Sequence, residues 1–400
     1  MASILMTTVS YDRDRGGGSV RLAYELACGL VSRGHQVSVV CEDVHGHRTE
    51  CETVQGVTVL RYRLSTAARF PFRRHREHIL ATATIAKKYL RKPPQIVHGH
   101  SLFQYVALMR EYGGGSHFCY TIHSPFSEEL DIAWRAQGMT GRIKRLFGLP
   151  IIRRLELESL RGSGTLTALS NYTRDLISQE YGAGLSEKIE IIPGWTDMVH
   201  FKPMTTRDAT VARKELGWPT DQRIFFVLRR LEARMGLDNL LRAIYLVRER
   251  GHHVRTFIGG TGTQLRHLLA LRQNLGLEHD VTFMGFVPRD KLPLAYGACD
   301  ASIVPTSHLE CFGIIVLEAV ACGRPVLVMP VGALPEVVRH FEPEWVARGT
   351  EPSSLADLLC AYLDGRLPSH RPEALRDILS ERFSFERALD MYERVLLSRS

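Results

Sequence analysis

Short apolar runs alternate along the chain with longer stretches in which apolar positions recur at helical spacing. The runs at 3–9, 36–41, 95–98, 118–122, 165–169 and 189–192 are predicted as strands, with helices over 19–32 and 79–90 among them. The pattern then restarts. Strands are predicted at 223–228, 254–258, 281–283, 301–305 and 325–329, and helices at 236–250, 264–275, 313–321 and 334–338. Strand–helix alternation implies an α/β fold: a parallel sheet with helices on both faces. Two such series imply two doubly wound, Rossmann-like domains. Pro193, Gly194 and Pro203 mark a hinge, so the expected domains are 1–195 and 204–383. A last helical pattern opens at Ser384, and residues 384–400 are a candidate to pack back on the first domain.

Length agrees with this division, since 400 residues are many for one core and ample for two. No apolar run reaches the roughly 18 residues needed to cross a bilayer. The apolar start lacks a basic segment and a small-residue cleavage site, so it reads as a first strand rather than a signal peptide. No pair among the eight cysteines has metal-ligand spacing. Cys28, Cys119, Cys299, Cys322 and Cys360 sit among apolar or small residues, which predicts reduced core thiols in a cytoplasmic protein.

The net charge of +8 is unevenly placed. Residues 51–150 hold 15 Lys and Arg against 6 Asp and Glu, while the remainder nearly balances. Two stretches interleave arginines with aromatics. One carries Arg69, Phe70, Phe72, Arg73, Arg74 and Arg76; the other carries Arg142, Lys144, Arg145 and Phe147, followed by Arg153 and Arg154. Such stretches suit an anionic membrane surface or a charged acceptor, the alternative being a solvated helix face. No nucleic-acid recognition motif accompanies them, so nucleic acid is not an expected partner. Peripheral contact at the inner membrane face is left open.

The segment 310–326 carries the most chemistry. A strand ends near Pro305, a loop presents Glu310, a helix starts near Gly313, and Glu318 lies in its second turn. A helix N-terminus offers unpaired N–H groups and the positive end of a dipole, both suited to a diphosphate. A carboxylate five residues on suits ribose hydroxyls, and one in the preceding loop suits the hydroxyls of a sugar. The alternative is an ordinary strand–loop–helix with two exposed glutamates.

This segment resembles the Glu-x7-Glu signature of the family 4 retaining glycosyltransferases, also called glycosyl transferases group 1. The resemblance extends along nearly the whole chain. It includes Gly16-Gly17-Gly18, Val97-His98-Gly99-His100, Tyr120-Thr121-Ile122-His123, Ile192-Pro193-Gly194-Trp195-Thr196-Asp197, Gly259-Gly260-Thr261-Gly262 and Phe283-Met284-Gly285-Phe286. It implies a GT-B fold, two Rossmann-like domains facing a cleft that holds the active site. It implies transfer of a sugar from a nucleotide diphosphate sugar, UDP- or GDP-linked, to a hydroxyl acceptor on a glycan, a lipid-linked carrier or a small molecule. It also implies retention of anomeric configuration, with no metal and no other cofactor.

Roles implied by the resemblance are specific. Glu318 holds the ribose and Glu310 touches the donor sugar. Backbone groups from Phe312, Gly313, Ile314 and Ile315 meet the sugar and diphosphate, and Arg230 clamps the diphosphate. His123 contacts the sugar near the anomeric centre, and Gly16, Gly17 and Gly18 allow close backbone approach to the diphosphate. Gly262 joins this donor-binding set. The chain departs from the family pattern at three places. Met235 stands where lysine is usual, leaving Arg234 as the candidate second charge. Cys311 replaces a glycine, which is expected to narrow the loop and shape sugar choice. Gly194-Trp195 replaces Asn-Gly.

Three motifs are set aside. Asp12-Arg13-Asp14 spells a metal-binding Asp-x-Asp but precedes the glycine turn and reads as a solvated loop. His98 and His100 lack a third ligand nearby and read as packing groups. Gly260-Thr261-Gly262 lacks the third glycine and the acidic residue of a dinucleotide site. Two other functions suit the same architecture: a nucleotide-sugar 2-epimerase and a non-catalytic nucleotide-sugar binding module.

Overall fold

The computed structural model describes the chain apart from residues 15, 45, 47–48, 66–70, 136 and 399–400, and apart from the side chains of 71–73. Arg69 and Phe70 of the first basic stretch thus lie outside the described residues, as do the side chains of Phe72 and Arg73. The chain forms two compact units, Met1–Ile192 with Glu386–Ser400, and Pro193–Phe385.

The first unit is built on β1 (Ser3–Thr7), β2 (Gln36–Glu42), β3 (Cys51–Val54), β4 (Val57–Tyr62), β5 (Ile96–Gly99), β6 (His117–Ile122), β7 (Thr165–Ala168) and β8 (Ile189–Ile191). They lie in the order β3-β4-β2-β1-β5-β6-β7-β8, all parallel except the β3–β4 hairpin. The strands are short and mostly apolar because helices cover both faces. Leu5, Val40, Leu60, Val97 and Leu166 are fully buried in that core. The hairpin was not expected from the sequence. It turns at Gln55 and Gly56, both at positive φ (50° and 80°), the geometry of a two-residue turn of primed type.

The helix Phe385–Leu397 belongs almost entirely to the first unit. It turns Ala388, Leu389, Tyr392, Val395 and Leu396 inward. Its outer edge is tied by Arg33, which donates to Glu393 at 2.5 Å and lies 2.5 Å from Asp390. The His35 ring lies 2.9 Å from the other Glu393 oxygen, and Arg394 pairs with Glu190 at 2.8 Å.

The second unit carries β9 (Arg223–Leu228), β10 (Val254–Gly259), β11 (Val281–Gly285), β12 (Ala301–Val304) and β13 (Val326–Val328), in the order β11-β10-β9-β12-β13 and wholly parallel. Trp195, at the start of this unit, is 1% exposed and packs on Phe385, with ring centroids 5.4 Å apart. The Trp195 departure from the family pattern is thus a core residue. Among the described residues no disulfide forms; Cys41, Cys119, Cys299, Cys311, Cys322 and Cys360 are buried thiols. Burial pushes the Cys41 thiol up to about 12.

Candidate active site

In a doubly wound sheet the loops leaving two adjacent strands diverge where the strand order reverses, and a crevice opens there. In the second unit that point lies between β9 and β12. Arg229 and Arg230 directly follow β9, and Thr306 and Glu310 follow β12, so the topology alone gathers them.

The tightest contact joins the two loops. Arg229 Nη2 donates to Glu310 Oε2 at 2.6 Å and to Thr306 Oγ1 at 2.6 Å. The Thr306 hydroxyl lies 3.3 Å from the same Glu310 oxygen. The two charged side chains are only 9% and 14% exposed, so this ion pair is largely dehydrated. Arg229 Nε is buried and, among the described residues, has no hydrogen-bond partner.

The Glu310 loop is held on several sides. Leu309 adopts φ +50°, and its carbonyl accepts from Arg234 Nη1 at 2.7 Å. The Arg234 carbonyl accepts from the Ser307 and His308 N–H groups at 3.0 and 3.2 Å. The Glu310 carbonyl accepts from the Ala333 N–H at 2.7 Å. Gly236, at φ +70°, lets the β9 loop lie against this one, since a Cβ there would stand 1.8 Å from the Pro305 carbonyl oxygen.

Beyond Glu310 the chain enters the helix Ile314–Ala321. Gly313 is its N-cap at φ 91°, ψ 57°, a left-handed conformation that a Cβ would strain and also crowd, at 2.8 Å from Leu334. The first N–H groups of the helix have no intrahelical partner by geometry. Glu318 is 1% exposed and accepts from the Tyr296 hydroxyl at 3.2 Å. Phe312 and Cys311 are buried, and a Cβ at Gly194 would meet the Phe312 ring at 2.7 Å. The Cys311 side chain is therefore packed within the protein. Met235 is buried too, whereas Arg230 is exposed and forms no ion pair among the described residues. Gly262 presses against the Leu231 backbone, where a Cβ would come within 2.4 Å.

The first unit has its own reversal point, between β1 and β5. Glycines 16–18 follow β1, His100 follows β5, and His123 follows the neighbouring β6. Gly17 caps the helix Gly18–Ser32 and has open space where a Cβ would stand; at Gly16 a Cβ would meet Val20 at 2.3 Å. His100 Nδ1 lies 2.8 Å from His123 Nε2, so one ring donates to the other. His98 lies 2.8 Å from Thr121 Oγ1, which lies 2.7 Å from Thr167 Oγ1. The His98–His100 and His100–His123 ring centroids are 4.2 and 5.1 Å apart. Burial pushes His98 down to about 3 and His123 to about 4, and holds His100 well below its ordinary value. The three rings are therefore neutral at pH 7. His98 and His100 thus do have a third histidine beside them. Yet among the described residues no group of three or more His, Cys, Asp or Glu is arranged to hold a metal ion. Asp12 accepts from the Asp14 N–H at 3.0 Å, a local turn in a loop where Arg13 and Asp14 are exposed.

Comparison with known proteins bears on the family and the fold. The profile described as Glycosyltransferase Family 4 matches residues 16–199, and that described as Glycosyl transferases group 1 matches 208–377. The chain belongs to this family. It is a glycosyltransferase of GT-B architecture. It is 27% identical over 347 residues to an uncharacterized glycosyltransferase of Methanocaldococcus jannaschii, covering 84% of this chain and 83% of that one. It is 30% identical over 225 residues to a GDP-mannose-dependent alpha-(1-6)-phosphatidylinositol monomannoside mannosyltransferase of Mycobacterium tuberculosis, covering 54% and 57%. For other curated relatives, too, the match spans about half of their length. Among solved structures, Anabaena HepE in complex with UDP and glucose superposes with a TM-score of 0.76 at 18% identity, over all of both chains.

Within this glycosyltransferase the residues named from sequence fall at the two reversal points or, for His123 and Gly262, after the strand next to one. Arg230, Arg234, Glu310, Phe312, Gly313 and Glu318 lie in the second unit, and glycines 16–18 and His123 in the first. Sequence reasoning missed Arg229, Thr306 and His100 as site residues. His100 stands in a quoted motif and Arg229 directly before Arg230, but nothing in a linear reading says which of two adjacent arginines turns inward. Among the described residues no helix is long and apolar enough to cross a membrane.

Proposed function

We propose that this glycosyltransferase moves a hexosyl group from a UDP- or GDP-sugar to a hydroxyl acceptor, with retention and without a metal. The observation that carries the reading is the Glu310 loop running into the helix Ile314–Ala321, with Glu318 one turn inside and the Arg229 ion pair behind Glu310. In this reading Glu318 holds the ribose and Glu310 a sugar hydroxyl. Breaking the anomeric bond leaves a cationic sugar and a diphosphate gaining charge. Arg230 and the helix N-terminus, including the N–H groups of Gly313, Ile314 and Ile315, are fixed donors aimed at that charge. Neutral His123 and glycines 16–18 of the first unit serve the sugar and the diphosphate. A relative that uses GDP-mannose and a neighbour structure holding UDP support both bases as candidates. The basic surplus of 51–150 favours an acceptor presented at an anionic surface, although glycan and small-molecule acceptors share the chemistry.

The test is a thermal-shift screen against nucleotide diphosphate sugars, followed by turnover and product analysis. A donor at a hundred times its dissociation constant should stabilise the protein by about 2.7 kcal/mol. The product linkage read by NMR should keep the donor's anomeric configuration. No shift with any UDP- or GDP-sugar, or an inverted linkage, sinks the reading. A new sugar epimer formed without acceptor would assign the chain to epimerase chemistry instead.

A further inference from the structure

One helix of the first unit carries an apolar face that is exposed among the described residues. The helix Gly138–Gly162 follows the helix Phe126–Arg135, and the two run antiparallel. Their register is fixed at both ends. Phe126 N–H donates to the Glu156 carboxylate, and Arg145 Nε donates to Asp131 at 2.5 Å. A Cβ at Gly141 would stand 1.8 Å from the Trp134 carbonyl oxygen. Phe126 lies four residues after the end of β6. Glu156 is therefore near the strand end, and Ile152 and Leu155 pack on Leu102, Phe103 and Val106 of the helix that follows β5. At 1.5 Å per residue the stretch 138–155 is about 27 Å long.

Its inner side packs through Leu149, Ile152 and Leu155. Its outer side presents Met139, Ile143, Leu146, Phe147 and Ile151, which are 69, 55, 68, 61 and 47% exposed. These positions follow the three-and-four spacing of a single helix face, and Pro150 lies among them, also exposed. Ordinary surfaces scatter exposed apolar residues singly, so five on one helix face mark an interaction site. The flanks are basic. Arg142 and Arg154 are exposed and form no ion pair among the described residues, while Arg153 and Arg145 are paired to Glu180 and Asp131. An apolar stripe bordered by unpaired arginines matches the two layers of an anionic bilayer surface, acyl boundary and phosphate headgroups.

We propose that the helix Gly138–Gly162 is the membrane-docking element of this glycosyltransferase. It inserts Ile143, Leu146, Phe147 and Ile151 at the acyl boundary of an anionic bilayer, with Arg142 and Arg154 on the headgroup phosphates. The proposal rests on the acceptor side of the reading above, a transferase whose acceptor is presented at a membrane. It narrows what the sequence suggested to the second of the two basic stretches, the one carried by this helix.

The experiment is vesicle co-sedimentation with pure phosphatidylcholine and with about one third phosphatidylglycerol, at low and high salt. The expected result is binding to the anionic vesicles alone, weakened by salt. Leu146→Ser with Phe147→Ser should lower that binding about tenfold or more, and Arg142→Glu with Arg154→Glu should do the same. Both pairs are exposed, so thermal unfolding and donor-stabilised melting should be unchanged. Equal binding by wild type and both variants, or none by wild type, overturns the proposal. Sedimentation velocity supplies another arm: a wild-type dimer that the Leu146 and Phe147 substitutions dissociate makes a second copy the occupant and overturns it too. Vesicle binding needs no turnover, so a failure here and a failure of the donor site are separate results.

Discussion

Arg229→Ala removes one half of a nearly dry ion pair and leaves the other half in place. The Glu310 carboxylate is 14% exposed, and losing Arg229 takes away its one charged partner among the described residues, leaving the Thr306 hydroxyl at 3.3 Å. Truncating one member of a buried pair costs about 3–5 kcal/mol, mostly because an unpaired charge stays buried. The residual exposure and the Thr306 contact place the expected loss near the lower end, about 3 kcal/mol. For a unit of this size that lowers the melting temperature by roughly 6–12 °C. Because the chain forms two units, the assay is calorimetry, which resolves two transitions, and the shift should appear in the second unit. The double variant Arg229→Met with Glu310→Leu has no stranded charge and should recover most of the loss. A melting change under about 2 °C for Arg229→Ala, or a double variant no more stable than the single, would refute the argument that this pair is buried and coupled.

Three further outcomes follow from the same geometry. Glu318→Ala should weaken donor binding by roughly 1.5–3 kcal/mol, and Arg230→Ala should lower turnover by about 3 kcal/mol, so steady-state kinetics should separate a KM effect from a kcat effect; near wild-type values for both would undo the donor-site assignment. Activity should persist in excess EDTA, and activity abolished there and restored by Mg²⁺ or Mn²⁺ would remove the metal-free mechanism. The first unit should lose stability as pH falls below about 6.5, because burial holds His75, His78 and His123 near 4 and His98 near 3, with His100 depressed as well. The unfolded chain takes up protons there that the folded chain refuses, so each depressed histidine contributes a loss of up to about 1.4 kcal/mol per pH unit between its unfolded and folded values. Denaturation midpoints of that unit that stay flat from pH 7 to about 4.5 would show the rings to be solvated.

Much of the fold was legible because buried parallel strands read as compact apolar runs. The predicted 36–41 is Gln36–Glu42, 254–258 is Val254–Gly259, and the helix at 236–250 is Leu237–Glu249. The failures have physical causes. The β3–β4 hairpin turns on Gln55-Gly56, and glutamine is a poor advertisement for a left-handed residue where asparagine or aspartate would have signalled one. The long helix Gly138–Gly162 escaped because both of its faces carry apolar residues and Pro150 stands in its middle, so neither periodicity nor breaker rules describe it. Its second apolar face is the surface assigned above to a bilayer. The Glu310–Glu318 unit was readable because strand, loop and helix are contiguous. The Arg229–Glu310 pair was not, because its members are 81 residues apart and meet only through the strand order.

The same pair bears on the missing lysine. Three arginines follow β9, and the structure gives each a different neighbour. Arg229 is spent on Glu310 and Thr306, and Arg234 on the Leu309 carbonyl, while Arg230 is the exposed one. Met235, at the family's lysine position, is 4% exposed, where an ammonium would pay for desolvation. Arg234, the candidate second charge, thus also reaches the Glu310 loop. We propose that Arg234 works through the loop, by its bond to the Leu309 carbonyl, while Arg229 holds the carboxylate itself. On this argument a lysine introduced by Met235→Lys should lower stability without raising turnover, whereas Arg234→Ala should raise the KM for the donor sugar and leave the affinity for the free nucleoside diphosphate nearly unchanged. Calorimetric titration with UDP and GDP separates the two cases. A parallel loss of nucleoside diphosphate affinity in Arg234→Ala would return that arginine to the phosphates.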